Sequence, residues 1–186
     1  MGTTLPAPGD IFPIDHDLLF LSEGRSRVPG MDQTWRHLPA PARPVASAAT
    51  AAVAAARSRE RDALDDAVAG LAGLDPATTG LILGTSVRLL LEETHPDGLD
   101  GEAVRGVLER SVRAALDWQP EVDPHVVLLL LAGALGVAEE DGAPPPPPEV
   151  LARHAALLLA DLAGPRPIEP VLTAALDEIA RTQLND

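Results

Sequence analysis

The sequence predicts an all-α protein of about six helices, arranged as three tandem helical hairpins in a compact bundle behind an irregular N-terminal arm. Two observations carry this prediction. Apolar residues recur at helical spacing through most of the chain after residue 43. A triplet made of an apolar residue, an acid and proline also occurs three times, at intervals of 48 and 46 residues.

The three triplets are Leu74-Asp75-Pro76, Val122-Asp123-Pro124 and Ile168-Glu169-Pro170. An acid suits the N-cap of a helix, where its carboxylate accepts from unpaired backbone N–H groups. Proline suits the first helical position, because the donor that it lacks has no partner there. We therefore expect a helix to begin at each triplet, with each triplet forming the turn of a helical hairpin.

The first segment, residues 1–43, is an extended arm in this interpretation, and residues 44–186 form the helical domain. Proline and glycine recur in the arm, and no helical pattern is sustained there. Yet the arm holds three of the four aromatic residues and an apolar run, whereas disordered linkers are poor in such groups. We expect the arm to dock on its own domain or on a partner, through Phe12, Leu18, Leu19, Phe20 and Trp35.

The helical domain opens with residues 44–74, whose spacing fits one long helix or two helices broken near Ser58. Further helices are predicted over residues 77–93 and 101–118, the latter capped by Asp100. After a proline-rich connector at about residues 139–148, we expect helices at 148–162 and from the third triplet to about residue 183.

The predicted helix over residues 124–137 is apolar on nearly all sides, which is typical of a helix at the centre of a fold. We therefore expect it to be the core helix, with the following residues mostly buried: Val127, Leu128, Leu130, Leu131 and Leu135.

The stretch from Asp123 to Gly136 resembles the second helix of a HEAT repeat, and the triplet spacing falls within the range of such repeats. Leucines stand where the family pattern has surface arginines. The resemblance implies a short HEAT-like solenoid as the alternative architecture. The compact bundle is favoured, because a solenoid helix normally keeps one exposed side.

Composition limits the classes of function. The formal charge is −14, all 14 basic residues are arginine, and cysteine is absent. A nucleic-acid-binding surface needs concentrated positive charge, so we expect no nucleic-acid partner. No secretory signal and no apolar run of bilayer-spanning length is found, so we expect a cytoplasmic protein that binds no membrane. The absence of cysteine excludes thiolate metal sites and cysteine nucleophiles.

Chemistry-bearing motifs are sparse, and we predict no catalytic, cofactor-binding or metal-binding residues. The five histidines are scattered, and no pair has the spacing that places two metal ligands on one helical face. The best polar candidates are a cluster at a predicted helix end, Glu93, His95 and Asp97, and His125 in the first turn of the apolar helix. His125 is expected to be a buried histidine or, beside a cavity, a general base.

Two functional hypotheses follow. The leading one is a non-enzymatic interaction protein, an adaptor or assembly factor, whose partner is another protein with a basic surface, or a second copy. The alternative is a helical enzyme or a small-molecule-binding domain with an apolar pocket. An apolar groove on the surface favours the first hypothesis. A cavity of several hundred Å3 reached by His125 or Trp118 favours the second.

Overall fold

The computed structural model describes residues 1, 35–36, 38, 40–138 and 144–184. Those residues contain seven helices and no strand, so the all-α class is confirmed. The helices are α1 (Ala42–Ser58), α2 (Arg61–Ala72), α3 (Pro76–Thr94), α4 (Gly101–Leu116), α5 (Pro124–Ala134), α6 (Pro148–Ala163) and α7 (Glu169–Gln183). Among them, none is long and apolar enough to cross a bilayer.

The junction between α1 and α2 explains why the structure has seven helices where about six were predicted. Arg59 adopts the left-handed conformation, with φ 57° and ψ 33°, which ends α1. Its N–H donates to the carbonyl of Ala56 at 3.3 Å, and the N–H of Glu60 donates to that of Ala55 at 3.0 Å. These bonds satisfy carbonyls at the helix end, and the break near Ser58 is therefore real.

Two of the three triplets cap helices as predicted. Asp75 Oδ2 accepts from the N–H of Thr78 at 2.8 Å, and Asp123 Oδ1 accepts from that of His125 at 2.8 Å. Glu169 is instead the first residue of α7, and Ile168 is the N-cap without a side-chain bond. The prediction of a Glu169 cap is wrong, which agrees with the preference of this position for the shorter Asp, Asn, Ser and Thr.

Helix α6 occupies the centre of the fold. It packs against α1, α2, α3, α4 and α5, whereas α7 packs mainly against α3. Alanine is frequent on its buried faces, and small side chains let neighbouring helices approach closely. The buried residues of α6 are Ala152, His154, Ala155, Ala156, Leu157, Leu158, Leu159, Leu162 and Ala163.

The expectation that the apolar helix α5 forms the core is wrong. Val127 and Leu131 are buried as predicted, and Leu131 is fully inaccessible. Leu130 and Leu135 are only half-buried, and Leu128 is 43% exposed. The reason is that α5 packs against α3, α4 and α6, and its remaining side faces solvent. The chain therefore displays leucines on its surface.

Candidate functional site: an apolar groove and an arginine cleft

A groove of about 480 Å3 lies between α3, α5 and α6, with the end of α2 at one side. We call it the apolar groove. Leu81 and Gly84 of α3, Leu129 and Gly133 of α5, and Leu151 of α6 are among its lining residues. Leu81 is 48% exposed and Leu129 is 39% exposed, so the groove opens to solvent with leucines at its surface. Exposed apolar surface that is continuous in this way is typical of a binding site.

Glycines make part of the groove wall. Gly80 and Gly84 stand four residues apart and therefore share one face of α3, and Gly133 contributes from α5. A Cβ atom built on any of the three would meet no atom within 4 Å, apart from its own helix turn and chain neighbours. Glycines four residues apart often permit close helix packing, but Gly80 and Gly84 do not serve it here, since α3 meets open space at both positions. The backbone itself is accessible to an incoming group.

Thr79 places a polar atom in this apolar setting. Its side chain is 8% exposed, and Oγ1 has no hydrogen-bond partner within the described part of the chain. The other buried helical hydroxyls differ, since Thr50 donates to the carbonyl of Ala46 at 2.9 Å and Ser86 to that of Ile82 at 2.7 Å. A buried hydroxyl without a partner carries a desolvation cost. Thr79 therefore lines the groove with an unpaired hydroxyl that is closed to solvent.

Charged residues mark the edges of the apolar groove. Arg88 lines it and pairs with Glu92 and with Glu178 of α7. Burial opposes the charge of Arg88, but the two carboxylates outweigh that effect and raise the pKa of Arg88. Asp75 and Glu149, both exposed, are the chain neighbours of the lining residues Pro76 and Pro148. The groove therefore contains a neutralised arginine, and two exposed acidic residues adjoin its lining residues in the sequence.

A second cleft, of about 320 Å3, lies between the end of α1, α4 and α6. We call it the Arg57 cleft. Its lining residues include Arg57, Arg59, Ser111, Trp118 and Asp161. The Nε and Nη2 atoms of Arg57 are buried and have no hydrogen-bond partner in the described structure. Burial lowers the pKa of Arg57, partly offset by the negative charge of Glu169.

The residues that the sequence proposed for docking fall into two groups. Phe12, Leu18, Leu19 and Phe20 lie outside the described residues. Trp35 is 2% exposed and belongs to the hydrophobic core together with Leu38 and residues of α1.

The polar candidates do not form one site. Glu93 pairs with Arg166, and His95 Nδ1 lies 2.9 Å from Thr94 Oγ1 and 3.1 Å from the carbonyl oxygen of Leu91. Asp97 and His125 are exposed, so the expectation of a buried His125 is wrong. His125 lies on the side of the first turn of α5 that faces solvent, whereas Val126 and Val127 of the same turn are buried. No cluster of three metal-ligating side chains occurs among the described residues.

Sequence reasoning missed Arg57 and Thr79. For Arg57 a signal was present, because Arg57 follows Val53 by four residues and Val53 belongs to the apolar stripe of α1. An arginine that continues a buried stripe is a candidate for a desolvated charge. For Thr79 no local signal exists, since its lack of a partner depends on α5 and α6 approaching α3 from elsewhere in the chain.

Comparison with known proteins finds no matching family model, no matching curated protein and no matching solved structure.

Proposed function

We propose that this protein is a non-enzymatic interaction protein, whose apolar groove receives the apolar face of an amphipathic helix from a partner with basic flanking residues. The observation that carries the proposal is the groove itself, about 480 Å3 in volume and bordered by exposed leucines. Helices that bind in grooves insert apolar side chains spaced three or four residues apart. Removing leucine surface from water on both partners supplies the driving force.

The glycines support a helical occupant. Gly80, Gly84 and Gly133 leave open space above the backbone, so a large apolar side chain of the partner fits where this chain has none. Anchors of that kind, seated in pockets and shielded from water, dominate the energy of most interfaces.

The charge of the chain supports a basic partner over a second copy. Two copies, each with a formal charge of −14, repel one another as they approach. A partner with lysine or arginine beside its apolar face is attracted instead, and the exposed Asp75 and Glu149 adjoin the lining residues Pro76 and Pro148. The proposal includes a cytoplasmic setting and a docking role for residues 1–43, both of which rest on the sequence alone.

Synthetic peptides test the proposal directly. The probe is a peptide of about 18 residues, with leucines at helical spacing and lysines on the other face. Its binding to the full chain is measured by fluorescence anisotropy, beside a scrambled peptide and a peptide with glutamates in place of lysines. We expect binding of the lysine peptide alone, weakening as salt rises. Equal binding of all three peptides, or no binding, contradicts the proposal.

Two matched glycine variants locate the binding surface. Gly84→Leu fills the groove, whereas Gly106→Leu adds the same side chain to open space on α4, outside the groove. We expect Gly84→Leu to weaken peptide binding by about tenfold or more, and Gly106→Leu to leave it unchanged. Equal effects of the two variants would place the peptide elsewhere. Sedimentation of the unliganded chain as a dimer that Gly84→Leu dissociates would identify a second copy as the occupant and overturn the basic partner.

A further inference from the structure

The two unpaired atoms of Arg57 belong to one edge of its guanidinium group. Nε–H and one N–H of Nη2 point in the same direction, so together they form a two-pronged donor. That fork matches the two oxygens of a carboxylate, which accept parallel hydrogen bonds from it. Both atoms are buried, and neither has a partner within the described part of the molecule. The unmet donors are therefore arranged for one ligand group, not scattered.

The acids near Arg57 are held away from this fork. Asp161 lines the same cleft, but its Oδ2 accepts from Ser111 Oγ at 2.6 Å and from Arg110 Nε at 3.1 Å. Glu169 acts on Arg57 through its charge without forming an ion pair with it. Arg57 is half-buried as a residue, but burying two N–H groups without a partner is unfavourable, so an additional carboxylate would relieve a cost that the unliganded fold carries.

The cleft distinguishes among anions. Arg59 adds a second positive charge to its lining, while Arg110 neutralises Asp161. Glu169 remains close enough to lower the affinity for a doubly charged group. Because one fork and little surplus positive charge are available, a singly charged carboxylate fits better than a phosphate.

The rest of the lining indicates what the carboxylate is attached to. Trp118, Leu157 and Ala114 also line the cleft, so apolar side chains share it with the arginines. The volume of about 320 Å3 lies at the lower end of the range for small-molecule sites. We propose that the Arg57 cleft binds a small monocarboxylic acid with an aliphatic or aromatic body, and that Arg57 turns towards the cleft so that Nε and Nη2 form a bidentate contact with the carboxylate.

This site is separate from the apolar groove, since the two share no lining residue. A negative result for the proposed interaction with a basic helix would therefore leave this proposal unaffected, and the reverse also holds. Trp118 lines this cleft, and a cavity reached by Trp118 was the feature expected to favour a small-molecule-binding domain.

Isothermal titration of the full chain with sodium butanoate and sodium benzoate tests the proposal. Butanamide, which has the shape of butanoate without its charge, and sodium phosphate serve as the comparison ligands at constant ionic strength. We expect saturable binding of the two carboxylates, binding of butanamide that is about tenfold weaker or undetectable, and weaker binding of phosphate than of butanoate. Trp118 emission should change on binding, whereas Trp35 is buried in the core away from the cleft lining.

Three arginine variants separate the fork from general charge. Arg57→Lys keeps the charge and loses the fork, and should weaken butanoate binding by about tenfold or more. Arg57→Met keeps the aliphatic stem and removes the unpaired charge. We expect this variant to melt at the same temperature as the unliganded wild type or higher, with no stabilisation by butanoate. Arg105→Lys, at an exposed position of α4 outside the cleft, is the control and should bind as wild type.

Four outcomes would overturn the assignment. If butanamide binds as tightly as butanoate, the charge of the carboxylate does not contribute to binding. If phosphate binds more tightly than butanoate, the cleft does not prefer a monocarboxylate. If both Arg57 variants bind butanoate as tightly as the wild type, the guanidinium fork does not bind the carboxylate. A melting temperature of Arg57→Met well below that of the wild type, with no carboxylate binding by the wild type, shows that Arg57 is already paired within the fold.

Discussion

The backbone N–H of Asp123 donates to Nε2 of His154, 2.9 Å away, and so ties the start of α5 to the central helix α6. Because Nε2 accepts this bond, Nδ1 carries the proton and donates to the carbonyl of Val150 at 2.7 Å. The ring is 2% exposed and both of its nitrogens are satisfied. Asp123 in turn caps α5 with its side chain, so a single residue joins the two contacts.

We expect His154→Leu to lower the free energy of unfolding by about 1–3 kcal/mol, because both hydrogen bonds of the buried ring are lost, one of them from the partly buried N–H of Asp123. His154→Gln should lower it less, since the amide oxygen can replace Nε2 as acceptor. The control is His125→Gln at the exposed histidine, where a change within about 0.5 kcal/mol is expected. Urea unfolding curves measure all three, and equal losses in the three variants would contradict the assigned hydrogen bond.

The pH dependence of stability should carry a contribution from Asp75. Hydrogen bonds from the side chain and then the backbone of Thr78 lower the pKa of Asp75. A folded-state pKa below the unfolded value means that the stabilisation is complete above the ordinary pKa of about 3.9 and is lost as pH falls through the folded value. Asp75→Asn should therefore differ from wild type most at neutral pH, with the difference shrinking in acid.

Thr78→Val removes the side-chain donor to Asp75 and supplies the second arm of this experiment. The variant should show a weaker dependence of unfolding free energy on pH between neutrality and about pH 2, because less of the Asp75 pKa shift remains. Parallel pH profiles for the wild type and both variants would show that the Asp75–Thr78 bonds contribute nothing to acid sensitivity.

The glycines of the apolar groove should limit the stability of α3. Gly80→Ala and Gly84→Ala add a Cβ to open space in a helix interior, so each should stabilise the fold by about 0.5–1 kcal/mol. Gly164→Ala is the contrasting variant, since Gly164 has a φ of 57° and alanine is strained there. Thermal melts of the three variants check the signs, and loss of stability at Gly84 would mean that the groove is closed by another part of the chain.

The two faces of α5 should respond differently to truncation. Leu131→Ala removes a fully buried side chain and should cost about 2–5 kcal/mol of unfolding free energy. Leu128→Ala, three residues earlier and largely exposed, should change stability by no more than about 0.5 kcal/mol. Denaturant midpoints measure the contrast. Similar losses at both positions would restore the original expectation that α5 is the core helix.

The features of this chain that could be predicted from the sequence are those that interactions between neighbouring residues determine, such as helix caps. Asp75 and Asp123 cap helices because a short carboxylate before proline has one favourable arrangement. The sequence left open whether residues 44–74 form one helix or two, and the left-handed conformation of Arg59 ends the first of two helices there. The prediction of the third cap was wrong by one residue. Glu169 lies in the first turn of α7, where the helix dipole also favours an acidic side chain.

The choice of central helix was not accessible from periodicity, and hydrophobicity pointed to the wrong element. Helix α5 is more apolar than α6, yet α6 has the small side chains that let several helices pack around it at once. The two clefts depend on the same long-range packing. Arg57 and Asp161 are far apart in sequence, and only the approach of α6 to α1 and α4 brings them into one cleft.

The position of α6 along the chain has a consequence for synthesis on the ribosome. Five of the helices in the described part of the chain precede it, and each of them packs against it in the finished fold. Until residue 163 has left the exit tunnel, the leucines and valines of these helices lack their common partner and stay exposed to water or to chaperones. The nascent chain therefore completes its folding late, and a polypeptide ending before Pro148 should be captured by chaperones or degraded.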